Sequence, residues 1–150
     1  MKVKILFFAV IISLFFTSSC GKKSEIVHDE LAQALCGSVP FSERLTQLDD
    51  SAAQRLLYLN PNDYSELTML VGTRATCDQI IIVKTASEKT VKEKLSNYLA
   101  NLKSDYSSYR PAEAQKIENM FSAERNGTIV IVVSADSTKA EMVYMEYLKK

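Results

Sequence analysis

The sequence predicts an α+β fold, with a mostly antiparallel, four-stranded sheet of two hairpins that is packed with helices. Residues 80–83 are an unbroken run of Ile and Val, which indicates a strand covered on both faces. Asn126 and Gly127 separate two strand-like segments, as in a tight hairpin. Apolar side chains recur at helical spacing over residues 91–102. Because hairpins replace strand-helix-strand alternation, the class is α+β rather than a parallel α/β sheet.

The N-terminal part of the domain is predicted to contain two helices. Apolar residues recur at helical spacing over residues 26–36, and Gly37 ends this first helix. Asp50 or Ser51 is suited to cap a second helix that runs through Leu57, because each offers a side-chain oxygen to the unpaired backbone N–H groups. A turn rich in Asn and Pro follows.

Hairpins and helices alternate over the remainder of the chain. The predicted elements are strands over residues 67–74 and 78–85, a long helix from Ser87, a helix from Pro111 to about residue 119, strands over 121–125 and 128–134, and a last helix capped by Asp136. Proline suits the first turn of a helix, where the missing N–H group would be unpaired anyway. The predicted order is therefore α-α-β-β-α-α-β-β-α.

Composition and charge exclude two classes of protein. The chain has 150 residues, with 18 basic against 18 acidic side chains and no net charge. It therefore lacks the basic surface that a nucleic-acid partner requires. With 47% hydrophobic residues, 4 Gly and 3 Pro, it is also unlike a disordered or low-complexity chain. We expect one globular domain.

The N-terminus has the three parts of a secretion signal. Lys2 and Lys4 precede an apolar run over residues 5–16, and small polar residues follow. A transmembrane helix needs about 20 apolar residues, so this run is too short to remain as a membrane span. The alternative is a buried N-terminal helix, which the run fits less well because no polar face appears at helical spacing.

Residues 17–20, Thr-Ser-Ser-Cys, resemble the lipobox of bacterial lipoproteins. This resemblance implies cleavage before Cys20 and a diacylglyceryl group on its sulfur. Two or more fatty chains hold a protein stably, since each buried methylene contributes about 0.8 kcal/mol. We therefore expect a signal peptide over residues 1–19, a lipidated cysteine and tether over 20–29, and a single domain over 30–150. The anchor places the domain at the extracytoplasmic face of the cell membrane, with covalent lipid and no cofactor.

Two cysteines remain once Cys20 carries lipid. Export favours a disulfide between Cys36 and Cys77, for which the loop-entropy estimate is about 4 kcal/mol. Alternatively, the two thiols are buried separately as small hydrophobic groups. No metal site is predicted, because the sequence has no closely spaced cysteine pair and only one histidine, His28.

The sequence contains no motif that predicts catalysis. His28 is the only imidazole base, and its position favours a solvated linker residue over a catalyst. Asp49 and Asp50 are adjacent carboxylates, but their place before a helix favours capping over acid-base chemistry. No glycine-rich phosphate loop is present. We therefore predict no catalytic residue.

Tyr98, Tyr106 and Tyr109, interspersed with serines, form the candidate binding surface. Tyrosine combines an apolar ring with a polar hydroxyl group and suits contact with a glycan or a peptide. The alternative is that these rings seal the edge of the core.

A family resemblance extends from about residue 39 to residue 148. The resembling stretches are Leu56-Leu57-Tyr58 before a proline turn, Asp78 leading into residues 80–84, the segment 109–113, and the strand 127–133 followed by Asp136. These stretches resemble a family of bacterial lipoproteins that carries domain of unknown function 4358. That family has no assigned activity. The resemblance therefore implies a cellular location and a fold, and it supplies no catalytic residue.

The sequence favours a lipid-anchored, non-catalytic binding or structural module of the cell envelope. Its expected partners are membrane lipid, through Cys20, and an envelope protein or glycan. The alternative is an envelope hydrolase with an unrecognised carboxylate or Ser-Lys site. Homo-association is a third hypothesis, since the apolar strand over residues 129–133 would pair readily at a sheet edge.

Overall fold

A five-stranded antiparallel sheet forms the centre of the computed structural model, which describes residues 25–150. The strands are β1 (Thr46–Gln47), β2 (Glu66–Val71), β3 (Gln79–Lys84), β4 (Phe121–Arg125) and β5 (Thr128–Val133), in the spatial order β1-β2-β3-β5-β4. The helices are α1 (His28–Ser38), α2 (Asp50–Leu56), α3 (Glu88–Ser107), α4 (Pro111–Glu118) and α5 (Ser137–Tyr147). The α+β class is confirmed.

Helices cover both faces of the sheet. Ile81 and Val83 of β3 point into one core with α2, α3 and α4, whereas Ile80 and Ile82 point into a second core with α1 and α5. Successive side chains of a strand point to opposite faces, so a strand between two helical layers is apolar at every position. The unbroken apolar run of β3 therefore reflects a strand that is covered on both faces, as predicted.

The hairpin between β4 and β5 is confirmed. Asn126 and Gly127 have positive φ angles of 50° and 76°, as a tight two-residue turn requires. A Cβ atom at Gly127 would lie 2.8 Å from the carbonyl oxygen of Thr85, so the position also requires glycine on steric grounds.

The prediction of four strands is wrong by one. The additional strand β1 has only two residues, and both are exposed. It pairs antiparallel with the end of β2, and the amide of Leu48 donates to the carbonyl oxygen of Met69 at 2.9 Å. An exposed two-residue strand has no apolar alternation from which it can be predicted.

The strand over residues 129–133 is not at a sheet edge. β5 lies between β3 and β4 and pairs with both, so its backbone is not available to a second molecule. The edge strands are β1 and β4. The homo-association hypothesis was therefore based on the wrong strand.

The assignment of His28 to a solvated tether is also wrong. His28 begins α1 and has only 1% of its surface exposed, and Ile26 is buried as well. Nδ1 of His28 lies 3.5 Å from Oε1 of Glu66, and neither ring nitrogen has a hydrogen-bond partner within residues 25–150. The domain therefore begins at about Ile26, because the packing of α1 against the sheet draws these residues into the core.

The predicted signal peptide over residues 1–19 and Cys20 lie outside the described residues. Within residues 25–150, no helix is both long enough and apolar enough to cross a membrane.

Candidate functional site

The three tyrosines singled out in the sequence line one cleft, about 500 Å³ in volume, at the end of the sheet where β2 ends and β3 begins. We call it the tyrosine cleft. Its lining includes Leu56, Val71, Gln79, Tyr98, Leu102, Tyr106 and Tyr109. The structure thus brings together all three predicted residues. Their binding of a ligand stays a prediction.

The three tyrosines differ in exposure. Tyr98 and Tyr106 lie about two turns apart on α3, so they share the face that packs on the sheet, and they are 8% and 4% exposed. Tyr109 follows the end of α3 and is 62% exposed. Its ring centroid lies 5.5 Å from that of Tyr106. Two rings therefore seal the core, as in the alternative interpretation, and the third extends the aromatic surface to the cleft mouth.

The hydroxyl groups of the two buried tyrosines are hydrogen-bond donors. Tyr98 donates to Oε1 of Gln79 at 2.8 Å, and Tyr106 donates to the carbonyl oxygen of Thr76 at 2.7 Å. Burial raises the pKa of Tyr98 and raises the pKa of Tyr106 to about 12. Both hydroxyl groups therefore keep their protons at neutral pH.

Gln79 is the functional candidate that the sequence did not reveal. It begins β3, is 2% exposed, and its Nε2 atom has no hydrogen-bond partner within residues 25–150. The buried Tyr98 hydroxyl donates its proton to Oε1, which fixes the orientation of the amide and leaves Nε2 as the unpaired end. An unsatisfied buried polar group costs about 1–3 kcal/mol. A single polar residue ahead of an apolar run gives no sequence signal for such a role.

An ionic cluster adjoins the cleft, and we call it the lysine cluster. Nζ of Lys116 lies 2.8 Å from Oδ1 of Asp78, 3.0 Å from Oε2 of Glu113 and 2.9 Å from Oγ of Ser42. Burial alone would lower the pKa of Lys116, but the hydrogen bonds to Asp78 and Glu113 outweigh it and raise the pKa.

The contact between Ser42 and Lys116 bears on the hydrolase alternative. A lysine that activates a serine must be neutral when it accepts the serine proton, which requires a lowered pKa. In this structure two carboxylates raise the pKa of Lys116 instead. Lys116 is therefore a cation that holds α4 against the start of β3, and this geometry does not supply a general base.

Cys77 belongs to the same cluster, and its environment keeps the thiol protonated. Its amide donates to Oε2 of Glu113 at 2.9 Å, and its Sγ donates to the backbone oxygen of Glu113 at 3.1 Å. Burial, together with Glu113, raises the pKa of Cys77 to about 12. A thiol with so high a pKa is a poor nucleophile.

The cluster does not suit a metal ion either. Cys77, Asp78 and Glu113 place potential ligand atoms within 4.8 Å of one another. However, a thiol must be deprotonated to bind a metal, and both carboxylates already pair with the Lys116 ammonium. The lysine therefore stands where a cation would have to bind.

Cys36 and Cys77 are both free thiols in the structure. Cys36 is exposed on α1, whereas Cys77 is buried in the core on the other face of the sheet. The two thiols are thus separate in the structure, and only Cys77 has the buried position that the second alternative expected for both.

The loop between β2 and β3 is held in place from outside the cleft. Oε1 of Glu43 accepts hydrogen bonds from the amide of Thr73 at 2.7 Å and from the hydroxyl of Thr76 at 2.6 Å. A Cβ atom at Gly72 would lie 2.6 Å from both Oε1 of Glu43 and Oγ1 of Thr76, so glycine lets the carboxylate approach. This wall of the cleft is therefore preformed.

Comparisons with known proteins identify a family. Residues 38–135 match the family model described as a domain of unknown function, DUF4358. The match spans the sheet with α2, α3 and α4, and all of α5 and nearly all of α1 lie outside it. No curated protein and no solved structure matches the chain. Because the matched segment covers more than half of the sequence, the chain belongs to the DUF4358 family.

Proposed function

We propose that this chain is a lipid-anchored, extracytoplasmic lipoprotein of the bacterial envelope that acts as a non-catalytic binding module. Its ligand is taken up in the tyrosine cleft. The observation that carries the binding role is the cleft itself, which combines aromatic rings with an unpaired buried amide. The proposed location rests on the basic N-terminal residues, the short apolar run that follows them and Cys20.

The dimensions and rim of the cleft support a binding role. Ligand pockets in proteins have volumes of about 300–1,000 Å³ and are mostly apolar, with a few well-placed polar groups. Leu56 and Tyr109 line the cleft although they are 41% and 62% exposed. Large apolar side chains that gather at the mouth of a concave site are typical of contact surfaces.

The position of the cleft is compatible with an anchor at the N-terminus. The chain enters the domain at Ile26, in the layer formed by α1 and α5. The cleft lies on the other face of the sheet, against α3. A tether from Cys20 to Ile26 is short, since an extended chain spans about 3.3 Å per residue. The cleft nevertheless stays accessible, because the sheet separates it from the entry point.

Lipid attachment is tested by labelling cells with an alkyne-tagged palmitate. The parent chain and a Cys36→Ser control are expected to incorporate the label, whereas Cys20→Ser is not. Label that persists in Cys20→Ser, or is missing from the parent, would contradict the anchor.

The binding role is tested with a photo-crosslinking residue placed at Tyr109 in intact cells. The matched control position is Met142, which is 50% exposed on α5, in the layer opposite the cleft. Adducts are expected at position 109 and not at 142, and Val71→Trp, which fills the cleft, should abolish them. Ser42→Ala is a control outside the cleft lining, and this variant should keep its adducts. Equal adducts at both positions, or adducts that survive filling, would rule out the cleft.

A further inference from the structure

We infer that the tyrosine cleft binds the neutral carbonyl oxygen of a largely apolar ligand, such as an aromatic carboxamide, and that Nε2 of Gln79 donates the hydrogen bond to it. This inference rests on the proposed function and names the ligand class for the same cleft. Three properties of the cleft carry it.

The first property is the unmet donor. Oε1 of Gln79 accepts from Tyr98, and no group within residues 25–150 accepts from Nε2. Most buried side-chain polar groups in proteins have a partner, so an exception in the lining of a cleft indicates a group that a ligand completes. A carbonyl oxygen is the complementary acceptor.

The second property is the rigidity of that donor. Gln79 lies on a central strand and pairs with Val71 on one side and Val133 on the other. Its side chain is on the same face as Ile81, toward α3, where the Tyr98 hydroxyl fixes the amide. A donor held by two strands and one hydrogen bond loses little freedom on binding, which favours affinity.

The third property is the charge of the wall. The cleft lining carries Asp78, Asp105 and Arg74, and the lysine cluster adds Glu113 and Lys116. Three carboxylates against two cations leave one net negative charge at the cleft. A carboxylate ligand would therefore be repelled, whereas a neutral carbonyl oxygen would not.

The remaining surface defines the rest of the ligand. Val71, Leu102 and the tyrosine rings supply apolar and aromatic walls. Planar rings pack on such walls in stacked or edge-to-face contact. The fitting ligand is thus an apolar or aromatic body with one neutral carbonyl group.

The test uses benzamide and benzoate, which have nearly the same shape and differ in charge. The full chain, purified from membranes in detergent and labelled with ¹⁵N, is titrated with each probe. Benzamide is expected to shift the side-chain NH₂ resonances of Gln79 and the backbone amide of Tyr109, and benzoate to bind at least about tenfold more weakly.

Two matched variants complete the design. Gln79→Leu is expected to weaken benzamide binding by about tenfold, since one hydrogen bond in an apolar site is lost. Gln115→Leu, at an exposed position of α4, should bind as the parent does. The shift of the Gln79 side chain in the parent tests the same contact if Gln79→Leu does not fold.

The outcomes separate the two proposals. If benzoate binds as well as benzamide, or if Gln79 does not shift while other cleft residues do, the assignment of the carbonyl ligand to Gln79 is wrong and the cleft remains the binding site. If neither probe shifts any cleft residue, the carbonyl assignment is overturned. Loss of the crosslinks at position 109 as well would overturn the binding role itself.

Discussion

Nζ of Lys116 lies 2.8 Å from Oδ1 of Asp78, whose side chain is fully removed from solvent. The lysine comes from α4 and the aspartate from the residue before β3, so this ion pair ties a helix to the end of the sheet. The second oxygen of Asp78 accepts from the amide of Ser42 at 2.5 Å. The loop at Ser42, the residue before β3 and helix α4 therefore meet at this ion pair.

Lys116→Met is expected to lower the free energy of unfolding by about 3–5 kcal/mol, because it leaves the buried Asp78 carboxylate without its counter-ion. Urea denaturation at neutral pH measures the change. Lys103→Met is the matched control, since Lys103 pairs with Glu118 where the two side chains are 42% and 49% exposed. The control should lose less than about 1 kcal/mol. A similar small loss in both variants would contradict the role of the buried pair.

The buried His28 predicts a loss of stability in mild acid. Burial lowers the pKa of His28 from its ordinary value of 6.5, against the opposing attraction of Glu66 and Asp29. As the pH falls through about 6.5, the unfolded chain takes up a proton that the folded chain does not. The free energy of unfolding should therefore decrease from about pH 7 to pH 5, above the range in which ordinary carboxylates titrate.

His28→Leu removes the titrating group and keeps an apolar side chain in the core. Its free energy of unfolding should change much less over the same interval, as measured by urea denaturation at each pH. Parallel curves for the parent and the variant would show that another group titrates there.

Asp49→Ala should destabilise the domain by about 1 kcal/mol, because it removes the N-cap of α2. Oδ1 of Asp49 accepts from the amide of Ala52 at 2.8 Å. Asp50→Ala is the control, since Asp50 is the first residue of the helix and makes no such cap. Thermal unfolding of both variants compares them, and an equal effect would contradict the assignment of the cap to Asp49.

Tyr58→Gly is expected to stabilise the domain by about 0.5–1 kcal/mol. Tyr58 has a φ of 55°, a conformation that suits glycine, and the amide of Leu59 donates back to the carbonyl oxygen of Gln54 at 3.0 Å, as at many helix ends. Tyr58→Ala keeps the strained backbone and should give no gain. If Ala and Gly have the same effect, strain at this position is not relieved by glycine.

The two described thiols should react at very different rates. In the native protein, a thiol reagent should modify Cys36 readily and Cys77 only after unfolding, because Cys77 is buried with a pKa of about 12. Cys36→Ser should therefore abolish the fast native reaction. Under denaturing, non-reducing conditions both thiols should be labelled. If neither Cys36 nor Cys77 were labelled under these conditions, the two residues would form a disulfide bond.

Local patterns predicted most of the fold. The hairpin at Asn126, the apolar run of β3 and the proline start of α4 each depend on chemistry within a few residues, and all three are present. β1 was missed because two exposed residues carry no periodicity. The burial of His28 was missed because it results from packing against a distant part of the chain.

The candidate site was predicted only in part, for the same reason. Tyr98, Tyr106 and Tyr109 are predictable because they lie close together in the sequence among serines, as an aromatic and hydroxyl-rich stretch. The pairing of Asp78 with Lys116 spans elements far apart in the sequence, and no spacing rule connects them. The unpaired amide of Gln79 follows from what surrounds it in space.

The hydrogen bond from the amide of Val27 to the hydroxyl of Tyr147, at 3.0 Å, joins the first helical segment to the last. A reporter fused after α5 would accordingly lie next to the point where the chain enters the domain, before α1. A circularly permuted chain, closed by a short linker between these two points, would keep every strand pairing and give new termini for biosensor design.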